Sequence, residues 1–234
     1  MKRLCPPSLI LVIIVLVFMV FGGFKPIQAE QVTEQTENSI KFQWSFCAIR
    51  KSNDAKLEPV TRDTVLQSGD QIKFFLKIRD NCFVYLLYRS SQGELSVLFP
   101  FRFKELKDRY DISGSYYVPH GDQWFELDEQ VGKENFYLLA SAKQLYPLES
   151  LINEYESADI AKKSVLADKI LTEIRSLRKR HMKFKTYAEK PVSIIGNMRG
   201  TEKDSQVRTN DIAEFAVEIS AGTFYSRTFT IDHQ

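Results

Sequence analysis

Hydrophobic and polar positions change period along this chain, and the changes mark its elements. Over residues 40–49 they alternate strictly: Ile40, Phe42, Trp44, Phe46 and Ala48 share one face, with Lys41, Gln43, Ser45 and Cys47 on the other. Successive side chains on a strand point to opposite sides of the pleat, so this pattern predicts a half-buried strand. It returns at 72–79, where Ile72, Phe74, Leu76 and Ile78 oppose Lys73, Phe75, Lys77 and Arg79. Residues 82–88 are apolar on both faces over too short a length for a helix, which predicts a strand covered on both sides. Ser90, Ser91, Gln92 and Gly93 then predict a hairpin loop, and Pro100 ends the return strand at 95–99. Ser68-Gly69-Asp70 and Asp80-Asn81 read as turns. Shorter strands are predicted at 116–119, 124–127 and 136–141, with a turn at Gly132. At the end of the chain, Ala213, Phe215, Val217 and Ile219 share a face, as do Tyr225, Arg227, Phe229 and Ile231, which predicts a terminal β-hairpin.

Between these runs the period lengthens. Pro147 suits a helix start, and Leu148, Leu151, Ile152 and Tyr155 follow helical spacing. After a weak point at 157–159 come Leu166, Ile170, Ile174 and Leu177, so two helices or one bent helix fill residues 147–183. The expected fold is mostly β: an antiparallel β-sandwich or open barrel of about eight strands, with a helical insertion late in the chain. The insertion is too long to lie between two sheets and is expected on an edge or outer face.

The N-terminus has its own pattern. Lys2 and Arg3 precede an unbroken apolar run over residues 9–21, Gly22, Gly23 and Pro26 follow, and Ala29 closes the segment. This is the layout of a secretory signal peptide over residues 1–29, and the run falls short of the roughly 20 residues that span a bilayer. An uncleaved anchor is the alternative. Residues 30–39 are polar and read as a flexible tether, leaving 40–234 as a single domain. Cleavage removes Lys2, Arg3 and Lys25 and no acid, which turns the formal charge of +2 into −1. A near-neutral exported chain has no field that would draw nucleic acid, and the membrane enters only if the leader is retained. Two of the three cysteines would survive cleavage, Cys47 and Cys82. A disulfide between them would contribute roughly 3–4 kcal/mol in the chain-entropy model. Against it, Cys47 lies on the polar face of its strand; the alternative is two separate thiols with Cys82 buried.

Several short motifs follow one another in order. They are Leu66-Gln67-Ser68-Gly69-Asp70, then Cys82-Phe83-Val84-Tyr85-Leu86-Leu87, then Gly93 and Leu98-Phe99-Pro100. Val118-Pro119, Trp124-Phe125-Glu126-Leu127-Asp128 and the run from Gly132 to Ser141 continue the series. Over about residues 60–145 this resembles the DUF4384 family, a domain of unknown function. The resemblance implies a β-rich accessory module; some members are fused to caspase-like peptidases or protein kinases, and no such domain is read here. It implies no catalytic residue, and the helical stretch after Ser141 departs from its compact pattern.

Searching the residues for chemistry returns little. His120, His181 and His233 are widely spaced and lack ligand-pair spacing, so no metal or cofactor is expected. Ser141 follows a strand without the glycines of a nucleophile elbow. Glu126, Asp128, Glu129 and Glu134 crowd a turn and could supply a carboxylate pair, although a solvated turn explains them as well. Trp124 and Phe125 beside them could form a stacking shelf for sugars or peptides. Arg175, Arg178, Lys179, Arg180 and Lys183 crowd the end of the helical segment, where cations also suit the helix dipole. The expected function is an exported, periplasmic or secreted, non-enzymatic binding or adaptor module. Its partner would be another cell-envelope protein, met through an exposed sheet edge or the helix face, with Trp124 and the basic helix end as the candidate surface. A hydrolase of envelope polymers using the acidic turn, or a membrane-tethered structural protein, is the alternative.

Overall fold

A computed structural model describes residues 39–52, 56–79, 82–101, 114–181, 187–191 and 211–234, all within one compact unit of residues 38–234. The expected leader and nearly all of the tether lie outside the described residues, as does Lys183.

The described strands form two sheets. Sheet A has the order β10(Tyr187–Pro191), β11(Val217–Ala221), β1(Ile40–Ile49), β4(Gln71–Ile78) and β7(Gly114–Val118). Two short strands join it, β2(Leu57–Pro59) on β1 and β8(Phe125–Glu126) on β4. Sheet B has the order β3(Asp63–Leu66), β12(Phe224–His233), β9(Gly132–Ser141), β5(Phe83–Arg89) and β6(Leu95–Phe99). The pairings are antiparallel except β3 with β12, which run parallel. The fold is therefore mostly β with two late helices, α1(Tyr146–Ser157) and α2(Ile160–His181).

Alternation on β1 and β4 builds the core. Phe42, Trp44, Phe46, Phe74 and Leu76 point inward and meet Phe136 and Phe229 of sheet B. Phe46 and Phe74 stack with centroids 3.7 Å apart, and Trp44 meets Phe229 edge-on at 5.0 Å. Burying each such ring contributes roughly 1.5–3 kcal/mol, and their contacts add to it. Arg227 sits among apolar neighbours on β12 because its guanidinium lies 4.9 Å from the Trp44 ring and pairs with Glu189 at 3.1 Å.

Three sequence expectations are corrected. The last two strands are not a hairpin: β11 belongs to sheet A and β12 to sheet B. The chain crosses between the sheets at Gly222 and Thr223, whose carbonyls accept from Ile40 N on one side and Ala142 N on the other. The alternating run at Ala213 and Phe215 is a 3-10 turn, Ile212–Phe215, because the Asp211 carboxylate accepts from Ala213 N and starts a turn. Gly132 opens β9 instead of marking a turn, and β2 and β10 are short strands that no clear alternation announces.

The helices lie on the outer face of sheet B. Leu166, Ala167, Ile170, Leu171, Ile174 and Leu177 of α2 and Leu148 and Ile152 of α1 bury Tyr85, Leu87, Leu95 and Leu139. This is why residues 82–88 are apolar on both faces: β5 has sheet A beneath it and helices above. The Tyr85 hydroxyl donates to Glu149 Oε1 at 2.7 Å and accepts from Leu145 N at 3.1 Å, which fastens the start of α1 to the sheet. Among the described residues no helix is long and apolar enough to cross a membrane.

Candidate functional site

The outer face of sheet A is built differently. Its register sets Cys47 opposite Lys73 and places Phe75 between Ser45 and Tyr117. Among the described residues the 3-10 turn covers this face, with Ile212 and Ala216 packing on Cys47 and Phe75. The Ser45 hydroxyl donates to the Ile212 carbonyl at 2.6 Å and holds the turn down.

Beside the turn lies a cleft of about 720 Å³ lined by Lys73, Tyr117, Gly121, Asp122, Trp124, Asp211 and Ile212. That size falls among small-ligand sites, roughly 300–1,000 Å³. Lys73 is only 5% exposed. Its ammonium donates to the Gly121 carbonyl and lies 5.5 Å from the Tyr117 ring and 5.4 Å from the Trp124 ring. Burial lowers the Lys73 pKa from its ordinary value, against the charges of Asp122 and Asp211, which raise it. The Tyr117 hydroxyl donates to both Asp211 carboxylate oxygens at 2.9 Å. Burial first, then that bond and the Asp211 charge, push the Tyr117 phenol up to about 12. The cleft therefore offers two aromatic faces, one held cation and two carboxylates.

Of the residues singled out from sequence, Trp124 is in this cleft, half-buried and lining it. The basic helix end is elsewhere, on α2 over sheet B, and it is not one surface. Arg178 turns inward: Nε donates to Ser226 Oγ at 2.7 Å, another guanidinium nitrogen to Thr228 Oγ1 at 2.5 Å, and the group lies 5.8 Å from the Tyr137 ring. It fastens α2 to sheet B and is half-buried. Arg180 pairs with Glu173 at 2.6 Å, while Arg175 and Lys179 are exposed.

Cys47 and Cys82 are free buried thiols in different clusters, Cys47 under the 3-10 turn and Cys82 between the sheets, so the disulfide expectation gives way to its alternative. Burial pushes both thiols up to about 12, which leaves neither a ready nucleophile. The acidic turn forms no paired site. Glu126, Asp128 and Glu129 are exposed, and Glu134 is buried and engaged by the Tyr88 hydroxyl and Ser91 N. None of the four lines the cleft. The Asp70 carboxylate accepts from Lys51 N and Gln67 N at 2.9 Å, as a structural turn requires. Ser141 Oγ accepts from Lys143 N at 3.2 Å, also a turn bond. Among the described residues no cluster of histidine, cysteine or acidic side chains could hold a metal.

Sequence reading missed Lys73, Tyr117, Asp122 and Asp211. The available signal was Phe75, a large apolar residue between Lys73 and Lys77 on a face expected to be wet. Such a residue needs a cover, and the cover makes the cleft wall.

Residues 65–144 match the family model described as a domain of unknown function, DUF4384. The DUF4384 match runs from within β3 to just past β9 and holds Lys73, Tyr117, Gly121, Asp122 and Trp124. Asp211 and Ile212, the remaining wall, come from outside it, as do both helices. No curated protein and no solved structure matches the chain.

Proposed function

We propose that this chain is exported into the cell envelope, periplasmic or secreted, and works there as a non-enzymatic binding module. Its ligand enters the cleft on the outer face of sheet A. The observation that carries the reading is the buried Lys73 held between the Tyr117 and Trp124 rings in a cavity of small-ligand size. Polar groups converging beside exposed aromatic surface are what binding sites have in common. The leader layout of residues 1–29 supports export, and intact mass of the exported chain tests it: loss of those residues excludes a retained anchor.

A second reading keeps the adaptor role toward an envelope protein and uses the helices. It is favoured by the exposed apolar side chains Ile160 (89%) and Val165 (59%) on α2. One experiment separates the two. Co-sedimentation with isolated envelope material is expected to drop severalfold for Trp124→Ala and to hold for Val165→Asp. Unchanged retention of Trp124→Ala with loss for Val165→Asp moves the function to the helices.

A further inference from the structure

We infer that the cleft takes a neutral saccharide, an inference that rests on the cleft being the binding site. The argument is by charge and by which faces are already used. A cationic ligand would be drawn by Asp122 and Asp211, but the Lys73 ammonium already stands 5.5 and 5.4 Å from the Tyr117 and Trp124 rings and leaves it no cation–π seat there. An anionic ligand would meet two carboxylates, Asp122 and Asp211, against one cation. A wholly apolar ligand would strip water from those carboxylates and return no hydrogen bond.

A sugar avoids all three penalties. Its hydroxyls both donate and accept, so they can donate to Asp122 and Asp211 and accept from Lys73. The C–H face of a pyranose ring is apolar and flat enough to lie against Trp124. The Tyr117 phenol stays protonated and fixed by Asp211, so the cleft wall holds its shape at neutral pH. Lys73 is thus a specificity residue: by taking the cation–π position between the rings it turns a cation cage into a site for neutral polyols, which meet the ring area that half-buried Trp124 leaves toward the cleft.

The test uses the purified full chain and three kinds of probe: neutral tetrasaccharides of glucose, N-acetylglucosamine and mannose; tetramethylammonium; and inorganic phosphate. Saturation transfer to ligand protons and calorimetry are the readouts. At least one tetrasaccharide is expected to bind wild type, with the two ions silent at about 10 mM. Trp124→Ala is expected to weaken it by about tenfold and Trp124→Phe by no more than about threefold, since a phenyl ring still stacks. Lys73→Met is expected to gain tetramethylammonium binding, because the faces and both carboxylates are then free of the resident cation. Circular dichroism confirms that each variant is folded. Binding of an ion by wild type with no tetrasaccharide bound overturns the saccharide inference and leaves the cleft reading standing. No tetrasaccharide bound while Trp124→Ala still loses envelope retention has the same meaning. Silence of every probe together with full envelope retention by Trp124→Ala removes both.

Discussion

Among the described residues, the outer face of sheet B lies under two helices and the outer face of sheet A under a 3-10 turn. Among those residues the same β-sandwich is therefore sealed on one side and thinly covered on the other, its more open side. On the sealed side Leu87, Leu95 and Leu139 and the Tyr85 ring meet an apolar cover, so burial supplies most of what holds the layer and a few polar bonds pin it. On the open side Ser45, Cys47, Lys73 and Phe75 mix polar and apolar chemistry, and the small cover leaves polar groups next to half-buried rings. A face made wholly apolar must be hidden to be stable. A mixed face can stay partly open, and that is where a ligand can be met.

The largest test of this contrast is to put a charge into the sealed side. Ile170 is fully buried between α2 and sheet B, so Ile170→Asp strands a carboxylate without partners. A loss of about 4 kcal/mol or more is expected, enough to unfold a domain of ordinary stability. Urea unfolding followed by circular dichroism measures it. A loss below about 1 kcal/mol would show that the helices are loosely docked and that sheet B is stable uncovered.

The contrast also explains what could be read from sequence. Residues 82–88 announced a doubly covered strand because burial on both faces leaves no polar position, and the structure supplies both covers. The helices were legible for the same reason, since one apolar stripe on each had to meet that face. Sheet A was legible only on its inner face. Alternation reports burial and not the partner, so it placed β1 and β4 correctly and could not say that β11 joins β1 while β12 crosses to sheet B. The cleft was hardly legible at all. Its walls come from positions 73, 117, 121, 122, 124, 211 and 212, brought together by sheet register and a capped turn. Trp124 was visible because it is large and sits beside polar residues; Lys73 looked like any outward lysine.

A smaller effect is expected where the sealed side is pinned by polar bonds. Tyr85→Phe keeps the ring and removes the hydroxyl that serves both Glu149 and Leu145 N. Buried groups left without partners cost about 1–3 kcal/mol. Thermal unfolding should show that loss, and Glu149→Gln, which keeps an acceptor for Tyr85, should lose less. An equal loss for both would mean that the carboxylate charge matters and the bond geometry does not.

The basic end of α2 divides the same way. Arg178→Ala is expected to cost about 1–2 kcal/mol by freeing Ser226 and Thr228 and uncovering Tyr137. Lys179→Ala, one residue on and exposed, should stay within about 0.5 kcal/mol. Matching values from denaturant titration would return Arg178 to the surface.

The mildest comparison uses the two thiols as reporters, Cys47 under the thin cover of sheet A and Cys82 between the sheets. Both are pushed up from 9.0 to about 12 by burial, so at pH 8 the folded chain presents almost no thiolate and alkylation waits for local opening. A raised thiol pKa favours the protonated folded state. That stabilisation is complete below about pH 9 and is lost as pH climbs from 9 toward 12, at up to about 1.4 kcal/mol per pH unit for each thiol. Below that window, exposing Cys47 requires the 3-10 turn to lift, whereas exposing Cys82 requires the sandwich to part. Iodoacetamide followed by mass spectrometry should therefore modify Cys47 at least about tenfold faster. Asp211→Ala removes the carboxylate that caps the turn at Ala213 N and holds Tyr117. A lost cap of about 1 kcal/mol raises the opening population about fivefold, so Cys47 labelling should quicken by that factor with Cys82 unchanged. Parallel acceleration at both cysteines would mean that the turn and the sandwich open together, and the thin cover would then not be a separately opening layer.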